Sequence, residues 1–199
     1  HLLAAMQATG VSKLVFSSSA ATYGIPSVDY VDEDYDCKPI NPYGQTKLIG
    51  EWMVANAARA WGLRGVNLRY FNVAGAGWPE LADTAVMNLV PIVLAALRDG
   101  KAPIVFGDDY PTEDGSCVRD YVHVLDLAEA HIAALGYLDR DDRKPTFNVG
   151  TGSGSSVFEV LNEIKKVSGN DFAIDVQARW SAKFDLHDII QSAWDAQAN

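Results

Sequence analysis

The sequence predicts an α/β fold built on a parallel sheet, because short apolar runs alternate with amphipathic helical stretches and each is closed by a recognisable turn signal. Leu14-Val15-Phe16 follows Gly10 and ends in Ser17-Ser18-Ser19, which suits a strand buried on both faces. From Pro42 to Trp61, the residues Leu48, Ile49, Trp52, Met53, Ala57, Ala60 and Trp61 recur every three or four positions and define one helical face. Asn41 can cap that helix, Pro42 fits its first position, and Gly62 closes it. The β-rich run Val66 to Phe71 then makes a strand, helix, strand unit whose crossover is right-handed.

Further helical patterns cover residues 86–98, 126–138, 156–167 and 185–196, with strands between them at 104–106, 121–124 and 147–149. Ser156 and Glu159 have the spacing of a capping box, which marks the start of the fourth of these five helices. His1 to Met6 reads as the tail of an amphipathic helix cut in the middle, with the natural start upstream, and not as a signal peptide, because a basic flank is missing. The charged run 139–144 reads as a solvated loop.

Composition narrows the function. A chain of 199 residues, 48% of them hydrophobic, can bury a sizeable core. Its net charge of -10 repels a phosphate backbone, which argues against nucleic acid as a partner. The longest apolar stretch, Leu89 to Leu97, contains Pro91 and is too short to span a bilayer. Cys37 and Cys117 are isolated, with neither a disulfide framework nor zinc-ligand spacing, so the expectation is no metal and a reducing cytoplasm.

Tyr43 and Lys47 stand one helical turn apart and therefore face the same way. A phenol works as a base through its anion, and a fixed ammonium nearby favours that anion. The pair alone is a common coincidence; its neighbourhood gives it weight. Ser17-Ser18-Ser19 lies at the C-terminal end of a parallel strand, where open α/β sheets bind ligands, although serines there can equally satisfy their own backbone.

With these residues in place, the chain resembles the extended short-chain dehydrogenase/reductases and, within them, the UDP-glucose (galactose) 4-epimerases. The matching segments are Phe16 to Gly24, Asn41 to Lys47, Leu68 to Gly75 and, most specifically, Phe106 to His123. The resemblance continues to about Arg179 and resumes in the tail from Asp185 to Trp194. It implies a partial Rossmann-like, doubly wound parallel sheet plus a smaller α/β substrate domain. Residues 1–77 would belong to the dinucleotide-binding domain, with 120–138 returning to it, and 78–199 would bind the UDP-sugar.

The implied activity is NAD-dependent 4-epimerisation of a UDP-hexose through a 4-keto sugar, in galactose metabolism. Tyr43 would be the general base, Lys47 the ligand of the nicotinamide ribose, and Ser19 the hydroxyl that orients the sugar. Ser17, Ser18, Tyr70 and Phe71 would complete the NAD side. Asn72, Asn88, Leu89, Phe106, Arg119 and Arg179 would contact the UDP-sugar, Phe106 near uracil and Arg119 at phosphate, where its charge and forked donors suit an anion. For Arg119 alone the default is a surface ion pair with Asp120 or another acid. Homodimers are common in that family.

Three features are set aside. Gly150 to Gly154 resembles a dinucleotide loop, yet Ser155 stands where its third glycine belongs. His123, His131 and His187 lack partners at ligand spacing and are assigned to packing or solvent. Nothing supplies Cys117 with a base.

The family pattern also leads one to expect a preceding glycine-rich βαβ region and, at the join Arg179-Trp180, an additional stretch with an Arg-rich turn; omission from this sequence is the favoured explanation for both. Two other functions stay open. A dehydratase or decarboxylase of the same superfamily is one, although the dehydratases generally carry an acidic pair where Ala20 and Ala21 stand. A non-catalytic sugar-nucleotide sensor or structural remnant lacking NAD is the other.

Overall fold

The strand, helix, strand unit forms as the residue pattern requires. In the computed structural model, which describes residues 1–140, 142, 144–177 and 185–197, the helix α1 (Leu2–Thr9) leads into β1 (Lys13–Ser17). The helix α2 (Pro42–Trp61) then connects β1 to β2 (Arg64–Tyr70). Asn41 caps α2 by accepting from Gly44 N at 2.8 Å, Pro42 opens it, and Gly62 closes it in a left-handed conformation. The two strands are parallel, with Leu14 opposite Gly65 and Ser17 opposite Leu68.

After β2 the chain breaks at Phe71, whose backbone N–H donates to Val149 O at 3.2 Å, and resumes as β3 (Asn72–Ala74) in a different sheet. Then come α3 (Leu89–Arg98), β4 (Ile104–Phe106), β5 (Val118–His123), α4 (Val124–Tyr137), β6 (Thr146–Val149), β7 (Gly154–Ser156), α5 (Val157–Ser168), β8 (Asp175–Gln177) and α6 (Leu186–Gln197). Among the described residues the strands form three small sheets, in the orders β1-β2-β6, β3-β5-β7 and β4-β8.

The first sheet is covered on both faces because its strands alternate. Leu14 and Phe16 pack with Met6, Val54, Ala57 and Leu63 on the α2 side. Val15, Phe147 and Val149 pack with Val66, Leu68, Ala134 and Leu138 on the α4 side. This is the arrangement that makes parallel strands apolar throughout. A separate core of Val93, Val105, Leu161 and Phe172 joins α3 and α5 to the β4-β8 pair.

Several boundaries differ from the sequence expectation, each for a local reason. The α3 helix starts at Leu89, not at 86, because Val86 and Met87 are exposed and their apolar side chains mimic helical periodicity. The α4 helix starts at Val124, two residues early, because the His123 ring accepts from Leu125 N at 3.2 Å and supplies an unusual cap. Thr146–Val149 pairs with β2, and α4 packs on the same sheet through Ala134, whereas residues 120–123 lie in β5, which pairs with β3 in the second sheet. The strands β7 and β8 are three residues each, too short for the alternation that reveals a strand.

The capping box at α5 is present in full, with Ser156 Oγ accepting from Glu159 N at 3.0 Å and Glu159 Oε2 accepting from Ser156 N at 2.7 Å. Replacing Ser156 with Ala is expected to cost about 0.5–2 kcal/mol, the ordinary value of a lost cap, read from urea denaturation midpoints.

Candidate active site

The C-terminal ends of β1 and β2 share one edge of the parallel sheet, and the first turn of α2 lies beside it. Lys47 Nζ donates to Ser17 O at 2.8 Å and sits 5.5 Å from the Tyr43 ring centre and 5.7 Å from that of Phe16. Phenol and ammonium therefore occupy one environment, as the spacing predicts. Tyr43 is 53% exposed, so its hydroxyl is open to an incoming molecule.

The three serines that end β1 have three different fates. Ser17 Oγ lies 2.9 Å from His131 Nε2, and His131 Nδ1 lies 2.8 Å from Leu127 O. A carbonyl only accepts, so Nδ1 carries a hydrogen, and in the neutral ring Nε2 accepts from the Ser17 hydroxyl. Ser18 is completely buried and its hydroxyl is bonded to Glu51 Oε1. That bond commits the hydroxyl of Ser18, a residue the resemblance assigns to the cofactor, to the interior. Ser19 Oγ accepts from Ala21 N at 3.1 Å and caps the short turn Ala20–Thr22. That bond uses a lone pair and leaves the O–H of Ser19 able to donate.

The turn after Ser19 and the start of α2 are pressed together at Gly44, where an added Cβ would meet Ala21 O at 2.4 Å and Pro39 Cβ at 3.0 Å. Backbone cannot yield there without moving Tyr43 or Ser19. Gly44→Ala is expected to destabilise the fold by about 1–3 kcal/mol, as overpacking does, and to lower turnover by displacing the first turn of α2. Denaturant midpoints and steady-state rates measured together check this.

Beneath the serines lies a buried polar network that sequence reasoning missed. Arg69 Nε donates to Glu51 Oε1 at 2.9 Å and Nη2 to Glu51 Oε2 at 2.6 Å, with both side chains under a tenth exposed. Arg69 Nη1 also donates to Tyr23 OH at 3.0 Å and Glu33 O at 3.2 Å, while Tyr23 OH donates to Asn148 Oδ1 at 2.7 Å. Burial alone would pull the Arg69 guanidinium down, but its hydrogen bonds to Glu51 and Tyr23 hold it above the usual range. Burial pushes the Tyr23 phenol up despite the opposing Arg69 hydrogen bond. The signal available in the sequence was Glu51, one turn beyond Lys47 on the face that carries Tyr43.

On the far side of Phe71, a cleft is lined by Asn72, Asn88, Leu89, Val90 and Tyr121 among others. Three of these are residues the resemblance assigns to UDP. The cleft meets the start of α3, whose cap position is held by Asn88 without a side-chain cap bond, so the first backbone N–H groups of α3 are orphan donors that suit an anion. Asn72 Nδ2 donates to Asp120 O at 3.1 Å, fixing the amide at the cleft wall. Tyr121 is an addition to the expected set, and burial raises its phenol.

The other expected residues are more dispersed. Among the described residues that line the cleft, neither Phe106 nor Arg119 appears. Phe106 is 70% exposed, opposite Gln177 at the end of β4. Arg119 Nη1 donates to Val118 O at 3.0 Å rather than pairing with Asp120. Tyr70 is half-buried against His131, with ring centres 6.4 Å apart. Phe71 packs at Gly150, where a Cβ would come within 2.9 Å of its ring. Arg179 lies outside the described residues.

Asp120 explains the Gly150 to Gly154 loop. Its carboxylate accepts from Thr151 N at 2.9 Å, Thr151 Oγ1 at 2.8 Å and Gly152 N at 2.9 Å. The amides that would cradle a phosphate in a dinucleotide loop are here engaged by a side chain, consistent with setting that motif aside. Among the described residues, no group of three or more His, Cys, Asp or Glu side chains is placed to hold a metal ion, and no helix is long and apolar enough to cross a membrane.

Comparison with known proteins gives the family and the fold. Residues 1–150 match the NAD dependent epimerase/dehydratase family. The chain is 40% identical to a UDP-glucose 4-epimerase of Rhizobium leguminosarum bv. trifolii over 224 residues, covering 99% of this chain and 68% of that protein. It is likewise 40% identical to one of Lacticaseibacillus casei, covering 100% of this chain and 67% of that protein. Among solved structures, the UDP-glucose 4-epimerase of Brucella ovis in complex with NAD superposes with a TM-score of 0.83 at 42% identity. That match covers 92% of this chain and 57% of the solved one, so the chain spans little more than half of that structure's length. The UDP-glucose-4-epimerase of Stenotrophomonas maltophila, with bound NAD and formylated UDP-arabinopyranose, gives a TM-score of 0.80 at 36% identity, covering 99% of this chain and 66% of that one.

Proposed function

The chain belongs to the NAD dependent epimerase/dehydratase family, and from that premise we propose that it carries the catalytic residues of an NAD-dependent UDP-hexose 4-epimerase. The observation that carries this reading is Lys47 Nζ, held on Ser17 O at 2.8 Å and 5.5 Å from the centre of the Tyr43 ring. Tyr43 takes the proton from the sugar 4-hydroxyl and returns it. Lys47 places its positive charge beside the Tyr43 ring. Ser19 donates its remaining O–H to the reacting sugar oxygen and orients it.

The strand ends fit the nicotinamide end of NAD, because an exposed phenol and a half-buried ammonium lie side by side there. Lys47, Tyr43, Tyr70, Phe71 and the Ser17 backbone would hold it; the Ser18 hydroxyl is already committed to Glu51. When bound, NAD supplies hydride acceptance and return at the sugar carbon. Asn72, Asn88 and the first N–H groups of α3 hold the diphosphate in the cleft, while Arg119 and the exposed Phe106 ring, which lie outside its lining, are assigned to phosphate and uracil by the resemblance alone. This grip on the nucleotide fixes one end of the substrate while the hexose turns to present its other face. The turn after Ser19 is Ala20-Ala21, without the carboxylates of a dehydratase. We place the activity in the cytoplasm and in galactose metabolism, and the free thiols Cys37 and Cys117 support a reducing compartment.

Incubating the complete polypeptide with UDP-galactose tests the proposal, with UDP-glucose as the expected product. A folded protein with NAD bound and no interconversion overturns it, and accumulation of a 4-keto-6-deoxy sugar assigns a dehydratase instead.

A further inference from the structure

Resting on the epimerase reading above, we propose that Glu51 is a positioning residue of the reaction. Through Ser18 and Arg69 it fixes the axial register of α2 on the end of β1, and so sets where Tyr43 and Lys47 stand relative to Ser19.

Tyr43, Lys47 and Glu51 follow one another at successive turns of α2 and share a face. Lys47 reaches the Ser17 carbonyl and Glu51 the Ser18 hydroxyl, so consecutive residues of the strand end are tied to consecutive turns of the helix. One tie would leave the helix free to pivot, and two ties in line remove that freedom. The Lys47 tie is made by a flexible, half-buried chain, whereas the Glu51 tie is rigid because both of its oxygens are engaged. Oε1 accepts from Ser18 Oγ and Arg69 Nε, and Oε2 accepts from Arg69 Nη2. Bidentate pairing of this kind fixes direction as well as distance.

Arg69 extends the same control to the chain beyond Ser19, holding the Tyr23 hydroxyl and the Glu33 carbonyl. An apolar pair of equal volume would fill this space, and burying two charges is costly. What the apolar pair would not supply is register. Since a misplacement of about 1 Å can cost about 100-fold in rate, register is what the site most needs.

Ser18→Ala removes the tie and leaves the Glu51–Arg69 pair intact, and Glu51→Gln keeps volume and acceptor oxygen while weakening the pair. In the complete polypeptide, each is expected to lower kcat for UDP-galactose by about 10- to 100-fold, with KM and the calorimetric affinity for UDP within about twofold of wild type. That split separates positioning from a general loss of structure, which thermal melts of the same samples record. If Glu51→Gln does not fold, Ser18→Ala decides. An active wild type with unchanged kcat in Ser18→Ala, or with only KM raised, overturns this inference alone. A wild type that does not interconvert the sugars overturns the epimerase reading and this inference with it.

Discussion

Tyr43→Phe in the complete polypeptide is expected to lower kcat for UDP-galactose conversion by about 100- to 10,000-fold, the usual range for losing a general acid-base. The substitution removes one oxygen and keeps the ring that Lys47 Nζ approaches at 5.5 Å. Because Tyr43 is 53% exposed, no buried polar group loses a partner and the melting temperature should not move. Affinity for UDP should also hold, since the Asn72 and Asn88 cleft lies beyond Phe71 and depends on α3 rather than α2. The result would therefore appear as a fall in kcat with little change in KM, which marks an interaction realised in the transition state. A fall of less than about tenfold would transfer the proton chemistry to another group.

Local rules decided which parts of this molecule could be read from its residues. The elements around α2 were legible because Asn41, Pro42, Gly62 and the apolar face each act through neighbours in sequence. The Tyr43 and Lys47 pair was legible for the same reason, as its geometry follows from helical pitch. Long-range pairing was not legible. Nothing near Asp120 indicates that its carboxylate clamps residues 151 and 152, or that Phe71 leaves one sheet for another. His131 has no neighbour at ligand spacing, and its hydrogen-bond partner, Ser17, is 114 positions away. A serine beside a binding edge and a serine buried under it have the same sequence signature, so the bond of the Ser18 hydroxyl to Glu51, 33 positions away, was not legible either.

Arg69→Met carries the largest expected effect on stability, about 3–5 kcal/mol, because it leaves the Glu51 carboxylate buried without a countercharge. Wild-type Glu51 and Arg69 have side chains only 6% and 8% exposed, so water cannot replace the lost donors without opening the core. The same change takes donors from the Tyr23 hydroxyl and the Glu33 carbonyl, loosening the segment between the serine turn and α2. Pairing it with Glu51→Leu tests the cause: the double variant should recover much of the loss, since two apolar side chains need no desolvation of charge. Urea midpoints of the wild type, both single variants and the double variant give the coupling directly. A double variant no more stable than the worse single one would mean that the loss comes from packing volume rather than from a stranded charge. If stability recovers while turnover stays low, fold and catalysis separate at this pair: apolar side chains can replace its contribution to the core, but not the direction in which it holds α2.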